Sequence, residues 1–499
     1  MNGTIAYQAI EKNRAMLEGI AKKMWEKPEG PYREFNACQW ISTALKEAGF
    51  DVEIGAGGVP TAIKATWGSG HPVIGILGEL DALPGMSQKL VTHKEAAVPG
   101  DYGQGCGHNL LGVGALGGAL GLKAEMEERK LPGTVVYYGC PAEEVLTGKS
   151  FMARGHAFDG LDLCVDFHPG TTNAVRTGKN TALNSAIFHF KGRTAHAGGD
   201  PHNGRSALDA VELMNVGANY LREHVTSDVR IHYIILEGGT APNIVPDKAS
   251  SKYFVRALTR DAVVDVYDRL VKVAKGAAMM TETELEIEFL GGCYNRLCNM
   301  ELSKVLYDCL AEAPKEAFTQ EEKDFAHALN QTMPELYEQL RTKAYAPEGT
   351  DLHEGLLPIE PVDGYGSSDV GDVQHIVPGG SFSTACFAIG APGPVSYTHL
   401  PFLLQPVDAL LQAGQHIPLR KGDAASILKA GNQHIVPFLG DKGFNFLPAQ
   451  SVQASGFDQF HIGAENWPQV RGHIHPGGLA HRDGPDFNLF HGVYPPFFQ

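Results

Sequence analysis

The chain has 499 residues, 43% of them hydrophobic and 20% charged, with a formal net charge of −16 at pH 7. That length exceeds what one hydrophobic core usually serves, so two domains or more are predicted. The acidic balance excludes a nucleic-acid partner, which needs a basic surface, and no apolar run reaches the roughly 18 residues of a membrane-spanning helix.

The start, Met1-Asn2-Gly3-Thr4, lacks the basic-then-apolar pattern of a secretory signal. The eight cysteines follow no disulfide framework, which predicts reduced thiols and a cytoplasmic location. Residues 5–48 read as helices interrupted at Lys27-Pro28-Glu29-Gly30-Pro31. Residues 73–77, 134–138 and 161–165 read as buried strands. Between the first two, residues 110–130 are rich in Gly, Ala and Leu and end in charges, a helix whose small residues permit close packing on a sheet. Alternating strand and helix predicts an α/β domain over residues 1–182, its mainly parallel sheet flanked by helices. The texture changes near residue 183. Strands at 185–191, 230–237, 248–258 and 284–289 then alternate with helices at 205–223 and 263–280. That order is ferredoxin-like, so residues 183–295 read as an inserted α+β domain. Residues 296–394 return to the first domain.

Three of the strands end in polar clusters: Glu79-Leu80-Asp81, Pro141-Ala142-Glu143-Glu144 and Asp166-Phe167-His168-Pro169. Sites in open parallel sheets form outside the carboxyl ends of strands, so the clusters are expected to converge. Each alone would be an ordinary polar loop. Gly103-Gln104-Gly105-Cys106-Gly107-His108-Asn109 opens the small-residue helix. Its glycines permit a tight turn, and the Cys-X-His spacing lets a thiolate and an imidazole face one point. By itself this motif reads better as a buried cysteine beside a capping histidine. Joined by Glu143, Glu144 and His168, it makes a thiolate, imidazole and carboxylate set that suits a divalent transition metal. Adjacent glutamates point in different directions, so one can bind metal while the other holds a water as general base.

The segments Gly-Glu-Leu-Asp-Ala-Leu-Pro, Gly-Cys-Gly-His-Asn-Leu-Leu-Gly, Pro-Ala-Glu-Glu and Ala-His-Ala-Gly resemble the metallopeptidase family of carboxypeptidase G, aminoacylases and auxin-conjugate amidohydrolases. The likeness also covers Pro242-Asn243-Ile244-Val245-Pro246 and Ser367-Ser368-Asp369, and it stops near Gly393. It implies a two-metal amidohydrolase that cuts an N-acyl or N-aroyl amino acid, a small molecule with a free carboxylate, p-aminobenzoyl-glutamate foremost. Cys106, His108, Glu144 and His168 match four metal-ligand positions, Glu143 the general base, and Asp81 a carboxylate behind the ligands. His196 matches a histidine that reaches across a dimer to polarise the scissile carbonyl, which makes 183–295 a lid and dimerisation domain. Asn243 and Arg256 match residues that hold the substrate carbonyl and carboxylate. A homodimer is expected, or pairing with a related second subunit, without a membrane. Thiolate and imidazole favour zinc, and the resemblance adds manganese. The alternatives are a dipeptidase or aminoacylase of the same family, or a catalytically dead dimeric scaffold.

The last alternative arises because the family's fifth ligand, a histidine, is expected where Pro394 stands after Gly393. Val395-Ser396-Tyr397-Thr398-His399-Leu400 follows, one reading frame of a transposon end used in sequencing libraries. Residues 395–499 carry 13 charged residues in 105 positions, against 85 in the first 394. These 105 residues are therefore expected to be foreign to the enzyme, with His399 the nearest substitute ligand and the chain as written inactive, poorly stable, or both.

Overall fold

The computed structural model describes residues 5–313 and 317–391. The expectations for residues 395–499, His399 included, lie outside the described residues.

In chain order the strands are β1 (Asp51–Ile54), β2 (Ile63–Ser69), β3 (Val73–Glu79), β4 (Gly133–Cys140), β5 (Leu163–Gly170), β6 (Ala174–Arg176), β7 (Ala182–Lys191), β8 (Arg230–Glu237), β9 (Lys248–Ala257), β10 (Glu284–Cys293) and β11 (Gly379–Ala385). Seven of them form one sheet in the order β1-β2-β4-β3-β5-β11-β6. Its centre, β4-β3-β5-β11, is parallel, while β1, β2 and β6 pair antiparallel at the two edges. Every residue of β4 is buried. Such strands are apolar on both faces because helices cover both.

The helices on this sheet include α1 (Ile5–Glu26), α2 (Phe35–Glu47), α3 (His108–Arg129) and α4 (Gly148–Arg154). α3 is buried all round through its first four turns, packed on β3 and under α1. Its small residues make that possible. At Gly112 an added Cβ would stand 2.6 Å from the Glu79 carbonyl oxygen, so only glycine lets the helix approach the end of β3 this closely. Gly107, at φ 79°, takes the left-handed turn that launches α3.

The other four strands form a separate antiparallel sheet in the order β10-β7-β9-β8. With α5 (Ala207–Leu221) and α6 (Arg260–Thr281), this is the ferredoxin-like arrangement, and it has its own apolar core. Ser206 and Thr259 start the two helices by accepting from the Asp209 and Ala262 amides. β8 is an edge strand. The chain returns to the first sheet through α7 (Met300–Glu312), α8 (Gln320–Asn330), α9 (Pro334–Lys343) and α10 (Val370–Gln374). No helix among the described residues is long and apolar enough to cross a membrane.

Candidate metal centre

β3 ends at Glu79 and hands the chain to Asp81. β4 ends at Cys140, and two residues later a 3-10 turn over Glu143–Val145 begins after Ala142. His168 differs from expectation: β5 runs on to Gly170, so the histidine is held inside the strand rather than beyond it. Pairing with β11 through Ala385–Gly170 extends β5 that far.

The structure brings Cys106, His108 and His168 together, with one donor atom of each within 4.8 Å of the others. Cys106 Sγ lies 3.3 Å from His168 Nε2. His168 Nδ1 donates to the Pro169 carbonyl at 2.7 Å, so Nε2 keeps its lone pair. His108 Nδ1 faces two acceptors, the Asp81 carbonyl at 3.0 Å and Asp81 Oδ1 at 3.2 Å. Burial opposes charge on this ring, but Cys106 and Glu79 outweigh it and raise His108 well above the imidazole range; in the neutral ring Nε2 keeps a lone pair, an arrangement typical of metal-binding histidines. Around that nitrogen stand Glu79 Oε2 at 3.1 Å, Glu144 Oε1 at 3.8 Å and Glu143 Oε2 at 3.9 Å. His108 Nε2, Glu79 Oε2 and Glu144 Oε1 are all buried without a hydrogen-bond partner. Buried lone-pair donors without partners are costly, and a divalent cation beside His108 Nε2, which both carboxylates face, would relieve them. The donor set thus fits a metal ion.

The electrostatics agree. By themselves the groups resist charging: burial pushes the Cys106 thiol up to about 12 and the Glu144 carboxyl to about 7. Burial, then the charges of Glu79 and Asp369, raise Glu143 well above the carboxylate range. Burial and Arg176 hold His168 down to about 3. A bound cation would favour the ligating forms of thiol, carboxyl and imidazole alike.

The two glutamates sit on a loop held by its main chain. Ala142 adopts φ 55°, a left-handed conformation unfavourable for alanine. Its amide donates to Glu34 Oε1 at 2.9 Å, and the Glu143 and Glu144 amides donate to Asp81 Oδ1 and Oδ2 at 3.1 and 2.9 Å. Two buried carboxylates thus grip three consecutive amides. Glu34 also accepts from the Tyr32 amide and the Thr61 hydroxyl.

Burial, then Asp81, raise Glu34 from 4.5 to about 7. A carboxyl raised in the folded state stabilises fully below its unfolded value and loses that stability as pH rises through its folded value. Wild-type stability should therefore fall between about pH 4.5 and 7 by up to about 3 kcal/mol from this group. Glu34→Gln, whose amide can still accept from the two backbone amides and donate to Thr61, is expected to remove that share of the slope. Urea unfolding at a series of pH values measures it, and an unchanged slope would remove Glu34 from the account.

Lys149 and Asp369 complete the surroundings and were not anticipated as site residues. Lys149 Nζ lies 2.6 Å from Glu79 Oε1 and 2.7 Å from Asp369 Oδ1, all buried. Burial opposes charge on Glu79, but Lys149 and His108 outweigh it and hold the carboxyl down to about 2. The available signal was an acid-rich set of strand ends that needs a counter-cation, with a lysine five residues after Glu144.

The remaining expected residues lie in the second lobe. His196 and Asn243 are exposed neighbours joined by the His196–Ile244 bridge and an Ala197 amide donating to the Asn243 carbonyl. The Gly198 and Gly199 amides donate to His196 Nδ1 at 3.2 and 2.9 Å. A neutral ring therefore carries its proton on Nε2, ready to donate outward. Arg256, on β9, donates from Nη1 to Ser367 Oγ at 3.0 Å, and its buried Nε has no partner. The hydrogen bonds described for His196 and Asn243 stay within their own lobe; Arg256 reaches the first.

A family model described as a peptidase dimerisation domain matches residues 180–282. The chain is 38% identical over 401 residues to one of the subunits of the p-aminobenzoyl-glutamate hydrolase of Escherichia coli K12, covering 77% of this chain and 83% of that protein. Its fold matches an aminobenzoyl-glutamate utilization protein from Klebsiella pneumoniae with a TM-score of 0.57 at 18% identity, covering 83% of this chain and 98% of that one. It also matches a dinuclear metal binding peptidase of the M20 family from Bacillus subtilis, with a TM-score of 0.55 at 16% identity over 84% and 99% of the two chains.

Proposed function

Because this chain belongs to the M20 family of metallo-hydrolases, we propose that it is an amidohydrolase cleaving an N-acyl or N-aroyl amino acid, with p-aminobenzoyl-glutamate the first substrate to test. The observation that carries this is that Cys106, His108 and His168 bring their donor atoms within 4.8 Å of one another, with the buried, unpartnered Nε2 of His108 facing Glu79 and Glu144. Cys106, His108, Glu144 and His168 would hold divalent cations, two in number, of zinc or manganese type. When bound, they supply the positive charge that acidifies a water and polarises a carbonyl. Glu143 takes the proton of the attacking water and returns it to the leaving amine. Asp81 fixes the His108 tautomer and the loop bearing both glutamates. Arg256 pairs its unpartnered Nε with the free carboxylate of the substrate, and Asn243 holds the substrate carbonyl. Support for the substrate comes from the Escherichia coli relative, whose name specifies p-aminobenzoyl-glutamate.

The test is release of p-aminobenzoate by a repaired protein, with the residues after Gly393 replaced by the family's own C-terminal segment and its histidine ligand, loaded with zinc or manganese, beside a panel of N-acyl amino acids and dipeptides. Preference for dipeptides would redirect the specificity. No hydrolysis of any of them by the metal-loaded repaired protein would overturn the reading.

Residues 183–295 would serve as lid and dimer contact. Supporting this, edge strand β8 exposes Ile234 and Ile235, and α5 exposes Tyr220 at 74% of its surface. The partner would be a second copy or a related subunit, and its His196 would donate Nε2–H to the scissile carbonyl oxygen. Activity of the repaired protein is expected to fall on dilution in step with dimer dissociation followed by light scattering; full activity as a monomer would remove His196 from the site.

A further inference from the structure

Glu79 has no task in the chemistry above, yet it offers the nearest carboxylate oxygen to His108 Nε2. We propose that Glu79 is itself a cation ligand, giving Oε2 to the same ion that His108 binds, with Lys149 and Asp369 as positioning residues. This rests on the metal-centre reading of the preceding subsection.

Three observations support it. The first is a contact that no hydrogen bond explains. Glu79 Oε2 and His108 Nε2 are 3.1 Å apart, both buried, and neither has a hydrogen bond. His108 Nδ1 is turned to Asp81, so the contact calls for positive charge at Nε2, from a proton or from a cation. A proton there finds no acceptor in hydrogen-bond geometry, whereas a cation between the two atoms would bind both. Two donors bound to one ion at about 2.0–2.2 Å, on neighbouring coordination positions, stand about 3 Å apart, which is the spacing seen.

The second is that the carboxylate is held for one use. Lys149 grips Oε1. Lys149 is gripped in turn by Asp369 twice, through Nζ to Oδ1 and through its backbone amide to Oδ2, both at 2.7 Å. Glu79 cannot rotate to offer Oε2 elsewhere without breaking a buried ion pair. A simple counterion for Lys149 would not need its second oxygen aimed at an imidazole nitrogen.

The third is placement. Glu79, His108 and Glu143 form a donor group within 4.8 Å that shares only His108 with the cysteine-containing one. With Glu79 ligating, Glu143 at 3.9 Å stays free to carry protons.

Glu79→Gln is the informative variant. Its amide oxygen can still meet Lys149, which leaves an NH2 group facing His108 Nε2, a donor that cannot ligate. In the full chain, cobalt(II) binding followed by calorimetry and by the thiolate-to-cobalt absorption of Cys106 should weaken at least tenfold in the variant, with its circular dichroism unchanged. Unchanged affinity in a folded variant would overturn the proposal. Anomalous scattering from cobalt-soaked wild-type crystals decides between ligation and mere positioning, and it stands even if the variant does not fold. A cobalt ion within about 2.3 Å of Glu79 Oε2 supports the proposal. An ion on His108 but beyond about 3 Å from Glu79 overturns it and leaves the metal centre standing. No cobalt at His108 overturns both.

Discussion

In a protein repaired beyond Gly393 with the family's own C-terminal segment, Glu143→Ala is expected to lower turnover by roughly 10²–10⁴, the usual contribution of general acid–base catalysis, and to leave the metal content unchanged. The nearest Glu143 oxygen is 3.9 Å from His108 Nε2, with Glu79 at 3.1 Å and Glu144 at 3.8 Å, so two other carboxylates are at hand for the metal. The Glu143 carboxyl is raised well above the ordinary range by burial and by the charges of Glu79 and Asp369, as suits a group that must hold a proton and give it back. The loop should survive the change, because Asp81 grips the amides of residues 143 and 144 and not their side chains. Turnover and metal content of the same preparation supply the check. Near-normal turnover would mean another base. Loss of metal together with turnover would make Glu143 a ligand.

Lys149→Met should cost about 3–5 kcal/mol of stability, the usual result of removing one partner from a buried ion pair. The ammonium is fully buried between two fully or nearly fully buried carboxylates, and the volume is nearly conserved in methionine. What is lost is therefore charge compensation and not packing. The penalty should shrink at acidic pH. Glu79 is held well below its ordinary value by Lys149 and His108, so this pairing stabilises above about pH 4.5 and fades as pH falls toward 2. Denaturant unfolding at pH 7 and pH 4 measures both points. A loss under about 1 kcal/mol at pH 7 would show that Glu79 and Asp369 are compensated by something other than Lys149.

Much of the architecture was legible in the sequence because its signals are local. The strand at 230–237 was read with the bounds it has, and the helix at 110–130 begins two residues earlier and ends one earlier than read. β1, β2, β6 and β11 were missed for different reasons. β1 and β6 are four and three residues long, and β2 is half exposed. β11, Gly-Gly-Ser-Phe-Ser-Thr-Ala, is wholly buried yet has no apolar run to mark it. The Cys106, His108 and His168 cluster is legible because Cys106 and His108 stand at the start of a recognisable helix and His168 near the end of a recognisable strand. Lys149 and Glu34 are not. A lysine ordinarily lies on the surface, and only the fold brings Asp369 to it across 220 positions of sequence. Glu34 grips Ala142 across 108 positions, a pairing no local pattern encodes.

The grip of Glu34 and Asp81 on three successive amides divides labour between main chain and side chain. The loop's position is specified by backbone N–H groups, which every residue but proline possesses, so the identities of residues 143 and 144 are largely released from structural duty. Substitutions there become changes of reagent on an unchanged mount. A redesign of the chemistry could sample many side chains at these two places while the mount persists, whereas the same freedom at 34 or 81 would let the mount itself go.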